Sequence, residues 1–148
     1  MVAIEQEWIS GDVTLGTAAN WSADEIRLVS ELGYALAQQG RNAEAIAVFE
    51  GLSALAPATH YFDSALGALW LREANFVKSL KHLNAALESD PDDIPNRVNR
   101  AEALIHTGDP ESAIKDLSRA IATETEGPLT EQCVVRATAL LATLAGEK

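Results

Sequence analysis

Residues 60–93 read HYFDSALGALWLREANFVKSLKHLNAALESDPDD, and the reading of this stretch decides the fold. Its Leu66-Gly67 pair recurs as Leu32-Gly33 upstream and as Arg100-Ala101 downstream, a spacing of 34 residues that matches a helix-turn-helix solenoid unit. With units starting at Ile26, His60 and Ile94, a small residue falls between the paired helices at Gly33, Gly67 and Ala101. A second small position falls at Ala45, Ser79 and Ala113, and a large apolar residue follows at Phe49, Leu83 and Leu117. The first helices offer Leu36, Trp70 and Leu104 in the same phase, and Pro57 and Pro91 close the first two units. Agreement at so many positions in one register predicts an all-α solenoid of three helical pairs.

Helix-end chemistry supports this register. Ser22 followed by Glu25 is a capping box, with Trp21 and Ile26 placed as the hydrophobic staple beside it. Gly40 and Gly108 stand where a chain leaving a helix turns left-handed. Asp109-Pro110-Glu111 supplies an N-cap, an N1 proline and an early acid. Asn42 and Asn75 are expected to cap the other second helices, and Asp92 and Asp93 precede Pro95 at a first turn. The expected organisation is an N-terminal segment over 1–21 with a short helix, three repeats over 22–127 (about 26–59, 60–93 and 94–127), and a C-terminal capping helix over 128–148. The cap is needed because a terminal unit otherwise leaves an apolar face uncovered. Val134, Val135, Leu140, Leu141 and Leu144 recur at helical spacing to supply it.

The chain has 148 residues and is 47% hydrophobic, enough for one core. Its 22 acids against 11 bases give a net charge of -11, which disfavours nucleic acid as a partner. Cys133 is the single cysteine, and no basic-then-apolar leader follows Met1, so a cytoplasmic protein without a membrane span is expected.

The repeat register resembles the tetratricopeptide repeat family over residues 26 to about 124, departing from it at Arg100 and at Thr125, which replaces a closing proline. Such solenoids take extended or helical peptides in a groove lined by the first helix of each pair. The inward positions counted from the register are Arg27, Ser30, Tyr34 and Ala37, then Tyr61, Ser64, Ala68 and Leu71, then Val98, Glu102 and Ile105. Alanines and serines leave room for a partner's side chains, and the tyrosines add apolar area with a hydroxyl. With Ser30, Tyr34, Ala65 and Pro95 where a grip on an acidic tail needs Lys, Arg and Asn, the groove suits an apolar or basic segment. A narrower resemblance rests on the three repeats, the trailing helix, the acidic composition and Tyr61-Phe62 followed by Ala65-Leu66-Gly67-Ala68. These features resemble the type III secretion chaperones that hold translocator proteins. That resemblance implies a chaperone that keeps a membrane-inserting partner soluble, with Tyr34, Tyr61 and Leu71 lining side-chain pockets. Independently, the apolar Ile4, Trp8, Ile9, Val13 and Leu15 of residues 1–20 suggest a homodimer surface, with Trp8 expected to anchor a partner or a second copy of the chain.

Residues for other chemistry do not assemble in the sequence. His60, His82 and His106 lie in different helical units without zinc-ligand spacing. The Gly11 to Gly16 segment is not followed by the Lys-Ser or Lys-Thr of a phosphate loop, and Asp90 to Asp93 lack the glycine and distant glutamate of a calcium loop. The expectation is a binding protein with no catalytic residues, no metal and no cofactor. The alternative is a structural subunit that makes its contacts through outer faces and termini.

Overall fold

The structure, a computed structural model, describes residues 21–55 and 62–146. The expected N-terminal helix and dimer surface, Trp8, His60 and Tyr61 therefore lie outside the described residues. Among the described residues seven helices run in order: α1 Ala23–Gln38, α2 Asn42–Leu55, α3 Asp63–Arg72, α4 Phe76–Ser89, α5 Ile94–His106, α6 Pro110–Ala122 and α7 Pro128–Gly146. Among the described residues there is no strand. The pairs α1–α2, α3–α4 and α5–α6 stack in sequence, and α7 lies against both α5 and α6.

Four of the described helices, α1, α4, α5 and α6, start on a side-chain cap, whereas α3 follows Phe62 without one. The Ser22 hydroxyl accepts from Glu25 N at 3.1 Å, the forward bond of the box, and donates to the Glu25 carboxylate at 3.2 Å. Asn75 accepts from Lys78 N at 3.1 Å, Asp93 from Asn96 N at 2.9 Å and Asp109 from Ser112 N at 3.2 Å. These bonds satisfy backbone donors that have no partner inside the helix. Asn42 is the expected cap that does not act as one. The first backbone bond of α2 runs from Ala45 N to Arg41 O, which puts Asn42 inside the helix with its side-chain oxygen buried and unbonded.

The interhelical register is obeyed closely. Ala45, Ser79 and Ala113, and likewise Phe49, Leu83 and Leu117, have no solvent exposure. The buried Ser79 hydroxyl donates to Gly67 O at 2.7 Å and so keeps a polar group satisfied in the core. One core gathers Val29, Leu36, Phe49, Leu52, Phe62 and Leu66, with Trp21 and Ile26 packed against it. A second gathers Ile94, Val98, Ala101, Leu117 and Ala137. α7 supplies Ala137 to that core, and Val134, Leu140, Leu141 and Leu144 pack against it.

The turn that joins each pair is also periodic. Gly40 and Gly108 have φ of 75° and 85°, and the residue midway between them in register, Ala74, is forced to 57°. A left-handed alanine costs about 1–2 kcal/mol, more than the extra chain entropy of glycine. Ala74→Gly is therefore expected to stabilise the protein by about 1 kcal/mol and to raise its thermal midpoint by about 3 °C, read by circular dichroism melting.

One interhelical pair position changes chemistry from unit to unit. It holds Val29 and Val48 in the first pair, both buried in the apolar core. In the second pair it holds Asp63 and His82, hydrogen bonded at 2.6 Å. In the third it holds Arg97 and Asp116, joined at 2.7 Å and almost fully buried. Arg100, where the other units have Leu32 and Leu66, closes the set through two further 2.7 Å bonds to the Asp116 carboxylate.

Candidate peptide-binding groove

The first helices α1, α3 and α5 carry the positions expected to face inward, and polar bonds between successive first helices fix how these helices sit. Arg72 on α3 donates to Ala37 O on α1 at 3.1 Å, and Asn96 on α5 donates to the Ser64 hydroxyl on α3 at 2.7 Å. Arg136 on α7 donates to Asn99 at 3.0 Å and to the Glu102 carboxylate. The row of first helices is thus tied at each step by side-chain bonds as well as by apolar contact.

In the first unit, Arg27 is exposed and pairs with Asp24 at 3.3 Å, while Ser30 is half-buried and returns its hydroxyl to Arg27 O at 2.7 Å. Tyr34 is 49% exposed. One side of its ring meets Phe49 in a T-shaped contact at 4.9 Å, which anchors a half-exposed aromatic on a fully buried one. Ala37 is half-buried against the first core. In the second unit, Ser64, Ala68 and Leu71 are all half-buried, presenting small side chains and one leucine to solvent.

The third unit departs from the expected lining. Val98 has no exposure and packs in the second core with Ala137 of α7, so it is a core residue rather than a groove residue. Its register equivalents Ser30 and Ser64 are half-buried; the difference follows from α7, which packs directly on α5. Glu102 is engaged by Arg136, and Ile105 is half-buried against the second core. The open part of the row is therefore concentrated on α1 and α3.

Residues outside that list also shape the site. Asn96 ties α5 to α3, and Arg136 ties α7 to α5. Asn96 carried a signal in the sequence, since its register equivalents are the apolar Phe62 and Leu28. Lys78 Nζ lies 4.3 Å from the centre of the Trp70 ring, a cation–π contact that covers the turn after α3. His106 stacks on Phe76 at 4.3 Å, and His82 bonds Asp63, so each described histidine has a packing or bonding role. Cys133 is half-buried, and that burial pushes its thiol pKa up against the opposing pull of Arg136. Among the described residues no cluster of three or more His, Cys, Asp or Glu could hold a metal ion. No described helix is long and apolar enough to cross a membrane.

Comparison with known proteins agrees with this architecture. The tetratricopeptide repeat family model matches residues 30–94. A search of curated proteins finds no match. Among solved structures, a T3SS complex from Aeromonas hydrophila aligns with a TM-score of 0.78 at 22% identity, covering 99% of this chain and 97% of that one. PcrH from Pseudomonas aeruginosa, in complex with the chaperone binding region of PopD, aligns with a TM-score of 0.77 at 22% identity, covering 86% and 96%. The Yersinia enterocolitica chaperone SycD, in complex with a peptide of the translocator YopD, gives 0.76 at 20% identity, covering 85% and 96%. The chain therefore has the fold of these type III secretion translocator chaperones, with the tetratricopeptide repeat match over residues 30–94.

Proposed function

We propose that this protein is a chaperone or adaptor of the type III secretion translocator class, holding an extended segment of a partner protein along its first helices. The observation that carries the reading is the open face of α1 and α3, where Tyr34 stands half out of the surface beside half-buried Ser30, Ala37, Ser64, Ala68 and Leu71. Small side chains with a few larger anchors suit a peptide that inserts its own side chains between them. The related folds seen with PopD and YopD segments support the same use. The small, apolar lining in a chain of net charge -11 suits an apolar or basic segment better than an acidic one. On this reading the protein acts in the cytoplasm, as a binding protein and not an enzyme.

A variant carrying Tyr34→Ala, Tyr61→Ala and Leu71→Glu tests it. Truncated anchors cost about 2 kcal/mol each, so partner affinity should fall by at least about a hundredfold. Far-ultraviolet circular dichroism should show unchanged helicity. Co-purification from the source cell should retain one partner on the wild type and lose it from the variant. Equal retention by both proteins would move the working surface to the outer faces and termini, as in an assembly subunit.

A further inference from the structure

A cavity of about 480 Å³ opens between α4 and α6, with α5 as its floor. It shares no residue with the groove positions on the first helices. Its walls bring together Arg97, Arg100, Lys115 and Arg119, four of the eleven basic residues in a chain of net charge -11. Asp116 is the one acid in the wall, and its carboxylate is already bonded by both Arg97 and Arg100. Arg119 donates to Asp92 at the rim through one nitrogen, and both side chains of that pair are well exposed. Among the described residues Lys115 makes no ion pair. The site therefore keeps a net positive charge and hydrogen-bond donors facing solvent.

Whole-chain charge does not set the sign of this site. At physiological salt the screening length is about 8 Å, so distant acids contribute little, whereas the clustered cations act together. We propose that this outer-face cavity docks an acidic peptide segment by its side-chain carboxylates. Two observations favour a peptide over a small oxyanion. Lys115 and Arg119 are one helical turn apart, about 6 Å along the axis, close to the roughly 6.7 Å between alternate side chains of an extended strand. Leu80 and Leu104 flank the cations and give an apolar wall for a chain to lie against. Asp116 and Asn84 hold Arg100 at all three nitrogens, so the donors left for a ligand carboxylate are those of Lys115 and the remaining nitrogens of the Arg119 guanidinium.

Fluorescein-labelled hexaglutamate is the probe, with hexaglutamine as the uncharged control and inorganic phosphate as competitor, read by fluorescence anisotropy on the full chain. Wild type should bind hexaglutamate and not hexaglutamine, and affinity should fall as salt rises. Lys115→Glu with Arg119→Glu should weaken binding at least tenfold with helicity and melting midpoint kept. Lys115→Gln with Arg119→Gln, which removes charge without adding repulsion, should do the same. The Tyr34→Ala, Tyr61→Ala, Leu71→Glu variant should bind hexaglutamate like wild type, which separates this site from the groove. Absence of binding at millimolar peptide, or equal binding by the double variants, would overturn the proposal. So would displacement of hexaglutamate by an equimolar amount of phosphate, which would make the cavity a small-oxyanion site.

Discussion

Asp116→Ala is expected to lower the unfolding free energy by about 3–5 kcal/mol, the cost of leaving buried charges without their partner. The carboxylate accepts three bonds, one from Arg97 and two from Arg100, and lies only 3% exposed. Its removal strands the buried Arg97 guanidinium, which keeps only its bond to Pro91 O at 2.6 Å. A loss of that size is a large fraction of the stability of a typical domain, so chemical denaturation should show a much lower midpoint or a partly unfolded protein. The ion set need not stabilise the fold relative to apolar residues, however. Arg97→Val, Arg100→Leu and Asp116→Val together install the residues that the first pair carries at the same positions, Val29, Leu32 and Val48. Replacing buried ionic triads by well-packed apolar residues is often neutral or stabilising by about 1–4 kcal/mol. The triple variant is expected to regain at least wild-type stability, and a triple variant as unstable as Asp116→Ala would show that the third pair cannot close without its charges.

The contrast between these substitutions explains what could be read from the sequence and what could not. Steric rules are written in residue size, so the periodic Gly33, Gly67 and Ala101 and the large Phe49, Leu83 and Leu117 announced the helical pairs directly. Cap residues such as Ser22, Asn75, Asp93 and Asp109 were equally legible, because each acts on a backbone donor three residues away. Asn42 misled because Arg41 and Asn42 are adjacent and both polar, and a shift of one residue turns a cap into a helical residue whose side-chain oxygen is buried. The groove was harder still. Its lining depends on how far each unit rotates on the next, and Val98 was assigned to it although α7 packs over its helix and leaves it in the core. Arg97 and Asp116 look like surface charges in one dimension, since their partners lie 19 residues apart and only pairing makes their burial tolerable. The Arg100 anomaly in the repeat was visible, but its meaning required the Asp116 carboxylate to be placed beside it.

Gly67→Ala should destabilise the protein by about 2 kcal/mol, although alanine is the better helix former. Gly67 is buried within α3, and a Cβ added there would stand 2.5 Å from Leu83 Cδ2 and 2.6 Å from its Cγ. Leu83 cannot swing aside because it is itself fully buried, and its backbone nitrogen lies 3.4 Å from the same point. Overpacking of this kind costs about 1–3 kcal/mol or more, while the helix-propensity gain of alanine is about 1 kcal/mol, so the clash prevails. Gly33→Ala meets Phe49 Cζ at 2.8 Å and Val48 Cγ1 at 3.1 Å, a looser contact that should cost less. The third pair supplies the internal comparison, since Ala101 already carries a Cβ at the equivalent position with no exposure. Urea unfolding of Gly67→Ala, Leu83→Ala and the double variant would isolate the contact. A double variant less destabilised than the sum of the singles is the expected result, because truncating Leu83 removes the atoms that the new methyl strikes. Strict additivity would mean that α3 and α4 move apart without resistance, and that the small residue at Gly67 does not set their spacing.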